Sequence, residues 1–164
     1  TAALAMGDAL AIALMQVRDF LPRDFAHLHP GGVRGKRLLT KAEDVMRTED
    51  LPIIPEDMNL GKAIINVSKG LLGMGVSLDS DNRVVGLITD GDIRRAMEKW
   101  QARFFDHTVS EIMTRTPKIV SPSTKVTEIL RVMHQYKIHS VLVCDKEKHL
   151  LGIVDSYAAS LLNQ

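Results

Sequence analysis

Residues 86–92, Gly-Leu-Ile-Thr-Asp-Gly-Asp, hold the side chains of this chain that are best placed to meet an anion. The apolar run before Thr89 has strand character and the run after Asp92 has helical character, so the two residues lie where a strand enters a helix. The first amides of a helix are unpaired and carry partial positive charge, which favours a phosphate there. Thr89 would donate to the phosphate and Asp92 would accept from ribose hydroxyls. The same spacing also predicts a capping box, in which both residues serve only the helix.

The bulk composition narrows the class of protein. The chain has 164 residues, of which 45% are hydrophobic and 25% charged, enough for one domain or two small ones. The formal net charge of +1 argues against nucleic acid as a partner, and no apolar stretch reaches the roughly 18 uninterrupted residues of a membrane span. The single cysteine, Cys144, excludes an internal disulfide framework and suits the cytoplasm. It lies in an apolar strand-like run, where we expect a buried thiol.

From residue 43 onward the sequence repeats itself. Asp44-Val-Met46 matches Glu111-Ile-Met113 at an offset of 67, and Gly86-Leu-Ile matches Gly152-Ile-Val at an offset of 66. Each copy reads as a short strand, a helix (near residues 58–70 and 124–136), two strands joined by a polar turn, and a closing helix. We therefore predict an α/β (α+β) fold of two β-α-β-β-α repeats, the first repeat being residues 43–105 and the second repeat residues 106–164. Units of this size are marginal alone, so their sheets are expected to pack against one another.

Two segments precede the repeats. Residues 2–20 are rich in Ala, Leu, Met and Ile and predict a helix that is apolar nearly all round, as in the interior of another domain. In His27-Leu-His29-Pro-Gly-Gly, the last three residues predict a turn beside His29, which is an ordinary loop position when taken alone. Two imidazoles are too few ligands for a metal, so no metal site is predicted. Residues 1–32 read as the end of a neighbouring domain and residues 33–42 as a basic linker.

The doubled pattern of Val-Met, Pro and Gly-h-h-Thr-x-x-Asp, where h is apolar, resembles a tandem pair of cystathionine-β-synthase-type (CBS) domains, the Bateman module, over residues 43–162. The N-terminal helix, with His-Pro-Gly-Gly and Gly35-Lys-Arg-Leu-Leu39, looks like the end of a sugar isomerase (SIS) domain. More narrowly, the chain is similar to the D-arabinose 5-phosphate isomerases of lipopolysaccharide and capsule synthesis, in which a SIS domain precedes a CBS pair. That resemblance implies that the chain is the C-terminal part of such an enzyme.

The resemblance also implies roles for particular residues. His29 would be catalytic in the intact enzyme, assisting proton transfer between C1 and C2 as aldose becomes ketose. The family's other active-site groups, a lysine and two glutamates, have no counterpart here, so we expect this fragment to be inactive. In CBS pairs a nucleotide lies between the repeats, where Thr89 would meet phosphate and Asp92 the ribose. Backbone flanking the base would come from Ile53, Ile54, Met74, Gly75 and Val76.

Further contacts to an anion are expected from the basic side chains nearest the motif, with a solvated surface role as the alternative: Arg94, Arg95, Lys137 and His139. The second repeat departs from the motif, because Asp155 and Ala158 stand where Thr89 and Asp92 stand in the first. An aspartate repels a phosphate and an alanine cannot accept from a ribose. We therefore expect one competent nucleotide site and one degenerate site, although Asp155 alone could also cap its helix.

Three functions follow from the resemblance. The pair could sense CMP-Kdo, the nucleotide-sugar end product of the pathway, and regulate the attached isomerase. It could sense an adenylate such as AMP or ATP. It could instead be a structural module without a ligand that holds subunits together as a CBS dimer within a parent tetramer. No cofactor is expected beyond such an effector, and the predicted partners are the SIS domain and further copies of the chain.

Overall fold

The computed structural model describes residues 2–17 and 39–160. The predicted N-terminal helix is present as α1, Ala2–Val17, and several of its large apolar side chains, including Met6, Leu10 and Val17, are exposed. His27, His29 and most of the predicted linker lie outside the described residues. Among the described helices, none is both long and apolar enough to cross a membrane.

The two repeats follow in the predicted order. The first repeat contains α2 Ala42–Val45, α3 Leu60–Lys69, β1 Met74–Leu78, β2 Val84–Thr89 and α4 Asp90–Trp100. Two 3₁₀ turns, Gln101–Asp106 and Val109–Glu111, connect it to the second. The second repeat contains β3 Ile119–Val120, α5 Val126–Tyr136, β4 Ser140–Cys144, β5 Leu150–Asp155 and α6 Ser156–Ser160. In the first repeat a single parallel bridge, Ile53 to Val76, takes the place of the short opening strand.

The two sheets have the same construction. β1 pairs with β2 and β4 pairs with β5, both antiparallel, and each pair has a register shift just before its polar turn. The bridge between Ile53 and Val76 has its counterpart in the pairing of Ile119 with Leu142, at the offset of 66 that the sequence shows. The fold class predicted from the repeat is confirmed.

Each repeat is completed by the segment that precedes the other. We call residues 41–47 the first lead-in and residues 108–114 the second lead-in. The backbone of Arg47 pairs with Ile153 of β5, with N–O distances of 2.9 and 3.0 Å, and Thr114 pairs with Leu87 of β2 at 2.7 and 2.9 Å. The lead-ins therefore cross over between the repeats, so the repeats of the sequence are not the packing units of the fold.

Within the described part of the chain, three clusters of buried side chains hold this arrangement together. The first core joins Ile54, Leu60 and Ile88 of the first repeat to Val109 and Met113 of the second lead-in. The second core correspondingly joins residues of the second repeat to the first lead-in, whose buried member is Ala42. The third lies between the sheets and is shared by both repeats: Met74, Val76, Val84, Leu142, Cys144 and Ile153. The expectation that the two sheets pack against one another is confirmed.

The thiol of Cys144 belongs to this shared cluster. Its residue is only 2% exposed, as the sequence predicted for a cysteine within an apolar strand. Burial raises the pKa of the Cys144 thiol to about 11, and the neighbouring Asp145 carboxylate acts in the same direction. The thiol is therefore protonated at neutral pH and packs as a small apolar group.

Candidate functional site

A cavity of about 680 Å³ opens between the two repeats, and we call it the first cleft. One wall is the junction of β2 with α4, which carries Thr89 and Asp92. Most of the remaining lining comes from two segments of the second repeat, within residues 114–118 and 136–142. The strand-to-helix junction singled out in the sequence therefore faces a space large enough for a small organic ligand.

Thr89 and Asp92 form the capping box that their spacing predicts. The Thr89 Oγ1 atom accepts from the Asp92 amide at 3.2 Å, and Asp92 Oδ2 accepts from the Thr89 amide at 2.9 Å. The Thr89 hydroxyl also donates to Asp92 Oδ2 at 2.7 Å. The cap and the position in the cleft wall occur together, so the two interpretations of this motif are compatible.

The remaining oxygen of Asp92 contacts a partner that is largely exposed to solvent. Arg95 Nη2 lies 2.6 Å from Asp92 Oδ1, while the Arg95 side chain is 71% exposed and that of Asp92 only 14% exposed. An exposed ion pair of this kind contributes at most about 1 kcal/mol. A ligand hydroxyl could therefore take the place of Arg95 at little cost, and Arg95 would then be free to meet an anion.

The second repeat adds two cations and an imidazole that face this junction. Lys118, Lys137 and His139 line the cleft, and the Lys118 ammonium lies 3.8 Å from the centre of the Tyr136 ring. A cation over an aromatic face is held by the ring's quadrupole. Lys118 is thus positioned in the cleft wall without a carboxylate beside it among the described residues.

Sequence reasoning missed part of this wall: Thr114, Thr116, Lys118 and Tyr136. These residues belong to the other repeat, far from the Thr-x-x-Asp motif along the chain. The sequence offered one signal for them, the polar run at 114–118. This run separates the apolar residues Met113 and Ile119 at the start of the second repeat.

The charges around the first cleft favour an anion. Among the residues that the structure describes, four cationic side chains line it, Arg94, Arg95, Lys118 and Lys137, against two carboxylates, Asp90 and Asp92. The first turn of α4 adds partial positive charge at the same place. A cavity lined mainly by one sign of charge concentrates the opposite sign, so a ligand with more than one negative charge fits best.

The other predicted site residues fall into two groups. Met74, Arg94 and His139 line the first cleft, together with Thr89 and Asp92. The remaining four, Ile53, Ile54, Gly75 and Val76, are not among the residues that line it. The Ile54 side chain is fully buried in the first core, and Val76 is fully buried between the sheets. That their backbone flanks a base stays a prediction.

The second repeat has a different junction at the symmetry-related place. Asp155 Oδ1 accepts from the Ala158 amide at 2.8 Å, so Asp155 caps α6 as the sequence allowed. Ala158 has no polar side chain that could accept from a ligand. The arrangement of Thr89 with Asp92 is therefore not repeated at the β5 to α6 junction.

A separate group of titratable side chains, Asp145, Glu147 and His149, lies at the turn between β4 and β5, with their ligand atoms within 4.8 Å of one another. Asp145 accepts from the amides of Glu147 and His149 at 3.0 and 2.8 Å and contacts the His149 ring at 2.7 Å. Desolvation alone would raise the pKa of Asp145, but these hydrogen bonds outweigh it and hold the pKa below its usual range. The hydrogen bonds of the turn therefore explain why these three side chains lie together.

Comparisons with known proteins agree with this architecture. The family model of the CBS domain matches residues 42–99 and 109–157. The CBS domain pair of protein MJ0100, solved in complex with 5′-methylthioadenosine and S-adenosyl-L-methionine, superposes with a TM-score of 0.68 at 26% identity, covering 76% of this chain and 96% of that one. The CBS-domain protein ATU1752 from Agrobacterium tumefaciens superposes with a TM-score of 0.69 at 20% identity, covering 77% and 96%.

The similarity to curated relatives extends beyond the residues that the family model matches. Arabinose 5-phosphate isomerase KpsF of Escherichia coli O6:H1 is 38% identical over 94% of this chain and 46% of its own length. Arabinose 5-phosphate isomerase KdsD of Francisella tularensis is 40% identical over 94% of this chain and 47% of its own length. The chain thus spans slightly less than half the length of these relatives. Its two family matches, with a fold made of two repeats, show that the chain belongs to the CBS domain family, as a tandem CBS pair.

Proposed function

We propose that this chain is the regulatory, nucleotide- or nucleotide-sugar-binding CBS module of an arabinose 5-phosphate isomerase, and that the first cleft is its effector site. The observation that carries the proposal is the meeting of the Thr89 and Asp92 junction with Lys118, Lys137 and His139 across one cavity. A helix N-terminus and several cations suit phosphate, and a carboxylate within the same cavity suits ribose hydroxyls.

The placement of the ligand follows from this chemistry. Phosphate would lie at the first turn of α4 beside the Thr89 hydroxyl, and Asp92 would exchange its contact with Arg95 for the ribose. Met74, Arg94 and His139 would line the remaining space. The CBS pair of MJ0100 supports a nucleoside ligand in this kind of module, since its structure contains two adenosine compounds.

The charge of the cleft bears on which effector binds. CMP-Kdo carries a phosphodiester and a sugar carboxylate, and two negative charges match the excess of cations around the cleft. AMP and ATP also carry at least two charges near neutral pH, so an adenylate is the alternative effector. The two differ in their bases and sugars, and only binding measurements separate them.

The activity of the parent enzyme is part of the same proposal. The relatives named arabinose 5-phosphate isomerase support a parent that interconverts D-arabinose 5-phosphate and D-ribulose 5-phosphate. In this interpretation residues 1–32, with α1, end a SIS domain, residues 33–42 are the linker, and residues 43–105 and 106–164 are the two CBS repeats. His29 would act only in the intact enzyme, so the fragment is expected to be inactive.

A second function is favoured by exposed apolar side chains. Ile65 of α3, Met97 of α4 and Leu71 are 55%, 45% and 86% exposed. Such groups suit contact with a second copy of the chain. In this alternative the module binds no effector and holds the subunits of the parent enzyme together.

Thermal unfolding with CMP-Kdo, CMP, AMP and ATP in turn tests these functions. A ligand at 100 times its dissociation constant stabilises by about 2.7 kcal/mol, which raises the midpoint by several degrees. A shift with CMP-Kdo and not with CMP supports an end-product sensor, and a shift with AMP or ATP alone supports an adenylate sensor. If no compound shifts the midpoint, the effector proposal is wrong and the structural function is favoured.

Matched variants separate binding from stability. Asp92→Ala removes the carboxylate that accepts from the Thr89 amide at the start of α4, and Asp155→Ala removes the side chain that caps α6, but only Asp92 lines the first cleft. We expect Asp92→Ala to abolish the ligand-induced shift and Asp155→Ala to keep it. The molar mass in solution should be unchanged in both. Loss of the shift in both variants would contradict the assignment of the site.

A further inference from the structure

The side chain of Arg47 leaves its own lead-in and ends on the first repeat. Its Nε atom donates to the Glu49 carbonyl at 2.9 Å, Nη2 donates to the Asp50 carbonyl at 2.7 Å, and Nη1 donates to the Gly70 carbonyl at 3.0 Å. Gly70 is the C-cap of α3, where the helix carbonyls carry partial negative charge. The guanidinium is therefore held by three backbone acceptors that converge on one cation.

The symmetry between the repeats locates these contacts. Arg47 and Thr114 are counterparts by their backbone pairing, and Gly70 and Tyr136 are counterparts by the offset of 66. Glu49 and Asp50 are matched with Thr116 and Pro117 because they stand two and three residues after Arg47 and Thr114, respectively. All four counterparts line the first cleft. By this symmetry, Arg47 stands at the place that corresponds to the first cleft, which we call the second cleft and whose strand-to-helix junction carries Asp155.

The two clefts have opposite chemistry. The first cleft presents cations together with the N-terminus of α4. The second cleft presents the carbonyls of Glu49, Asp50 and Gly70, with an aspartate in place of the threonine. Carbonyl oxygens that converge in this way accept from a planar, multiply donating cation, and a guanidinium is such a group.

We propose that Arg47 is a tethered guanidinium ligand of the second cleft. This cleft is then a cation site that the chain fills with its own side chain. The first cleft is the one that stays open to a free anion, and this assignment rests on the proposed function. The backbone of Arg47 pairs with β5 of the second repeat while its guanidinium binds the end of α3 in the first. Arg47 thus links the two repeats, with its backbone on the second and its side chain on the first.

Chemical rescue in the full chain tests the tethered ligand. We expect Arg47→Ala to lower the unfolding midpoint, and we expect added methylguanidinium to raise the midpoint of this variant by several degrees relative to wild type. Methylammonium should not do so, because it lacks the planar set of donors. Arg103→Ala is the matched control, since that arginine is 79% exposed and lies 3.8 Å from Asp106. Equal effects of methylguanidinium on Arg47→Ala and wild type would overturn the proposal.

Transplanting the arginine gives an independent test. In Thr114→Arg the new guanidinium would meet the carbonyls of Thr116, Pro117 and Tyr136 and fill the first cleft. We expect this variant to lose the midpoint shift caused by AMP or CMP-Kdo, whichever shifts wild type, while Arg47→Ala keeps it. Unchanged binding in Thr114→Arg would also count against the tethered ligand. If neither compound shifts wild type, the proposed function fails, and the rescue experiment alone decides on Arg47.

Discussion

At the scale of the residue, Thr89 and Asp92 close the first turn of α4 and also line the first cleft. A substitution at either position therefore changes helix stability and the cavity wall together. Loss of an N-cap side chain costs about 1 kcal/mol, so a binding defect measured near the unfolding midpoint would be confounded by unfolding. Asp155→Ala removes the symmetry-related cap without changing the lining of the first cleft, so its effect measures the loss of a cap alone.

The carboxylate of Glu111 predicts a pH dependence. The His107 ring, 2.7 Å away, and the Thr108 amide hold the pKa of Glu111 below its usual range. A carboxylate whose pKa is lower in the folded than in the unfolded state stabilises above its unfolded pKa. That stabilisation is lost as the pH falls through the folded pKa. We expect Glu111→Gln to lower the unfolding midpoint at neutral pH and the difference from wild type to vanish under acid conditions, measured by thermal unfolding across the pH range.

A matched control for this prediction is Glu98→Gln. Glu98 is exposed on α4, and its side chain makes no hydrogen bond or ion pair with any residue that the structure describes. Its substitution should change the midpoint little and by the same amount at every pH. A Glu111→Gln difference that persists unchanged in acid would show that the carboxylate charge contributes nothing.

The burial of Cys144 predicts a thiol that reacts slowly in the native protein. Because it is buried between the sheets and its pKa is raised to about 11, a maleimide should label the native protein only at the rate at which the fold opens. The labelling rate should rise to that of a free thiol in denaturant. Fast labelling of the native protein at neutral pH would mean that the two sheets separate readily.

At the scale of the element, the lead-ins cross the sheets at two glycines. A Cβ added at Gly152 would lie 2.8 Å from the Arg47 carbonyl and from Met46 Sδ, and one added at Gly86 would collide with Met113 Sδ. Each crossing brings a lead-in against the other repeat's sheet so closely that only a hydrogen fits. The absence of a side chain, rather than backbone flexibility, is what these glycines provide.

We expect Gly152→Ala and Gly86→Ala each to destabilise the fold by about 1–3 kcal/mol. Gly152→Ala should cost more, because the obstacle includes a backbone carbonyl, whereas the Met113 side chain can change rotamer. Denaturant unfolding measures both values. Gly7→Ala in α1 is the control, since nothing lies within 4 Å of the added atom and alanine favours a helix. Neutral values at both sheet glycines would contradict the close crossing.

The helices and strands could be predicted from the sequence, but the crossing of the lead-ins between the two repeats could not. Apolar periodicity placed α3 near 58–70 and α5 near 124–136, and the structure has them at Leu60–Lys69 and Val126–Tyr136. Internal similarity shows which segments are alike, but it does not show which sheet a segment packs on. Met46 and Met113 are equivalent and apolar, so either sheet offers each of them a similar surface. Only the packing distinguishes the exchanged arrangement from the direct one.

The candidate site was predictable to the same extent. Thr89 and Asp92 were found because strand, turn and helix signals meet within seven residues of sequence. Lys118 and Tyr136 were missed because they reach the cleft through the approach of the second repeat. The tie from Arg47 to Gly70 depends on the same approach and has no local signature.

At the scale of the whole molecule, the exchange makes the two repeats one cooperative unit. Residues 39–105 alone would lack Val109 and Met113, and residues 106–160 alone would lack Ala42. We expect each half, expressed separately, to be largely unfolded by circular dichroism and an equimolar mixture to recover helix and sheet signals. The full chain should unfold in a single transition. A half that folds alone would show that the exchanged contacts are dispensable.

The crossing also determines when this protein can fold during its synthesis. A ribosome delivers the first repeat before Val109 and Met113 exist, so the first core remains open although most of its residues have been made. The first lead-in, made earlier still, must wait for β5 before Arg47 and Ile153 can pair. Long-range pairing of this kind slows folding. The nascent chain therefore exposes apolar surface until the second repeat has been made, which makes it a natural client for chaperones that act at the ribosome exit.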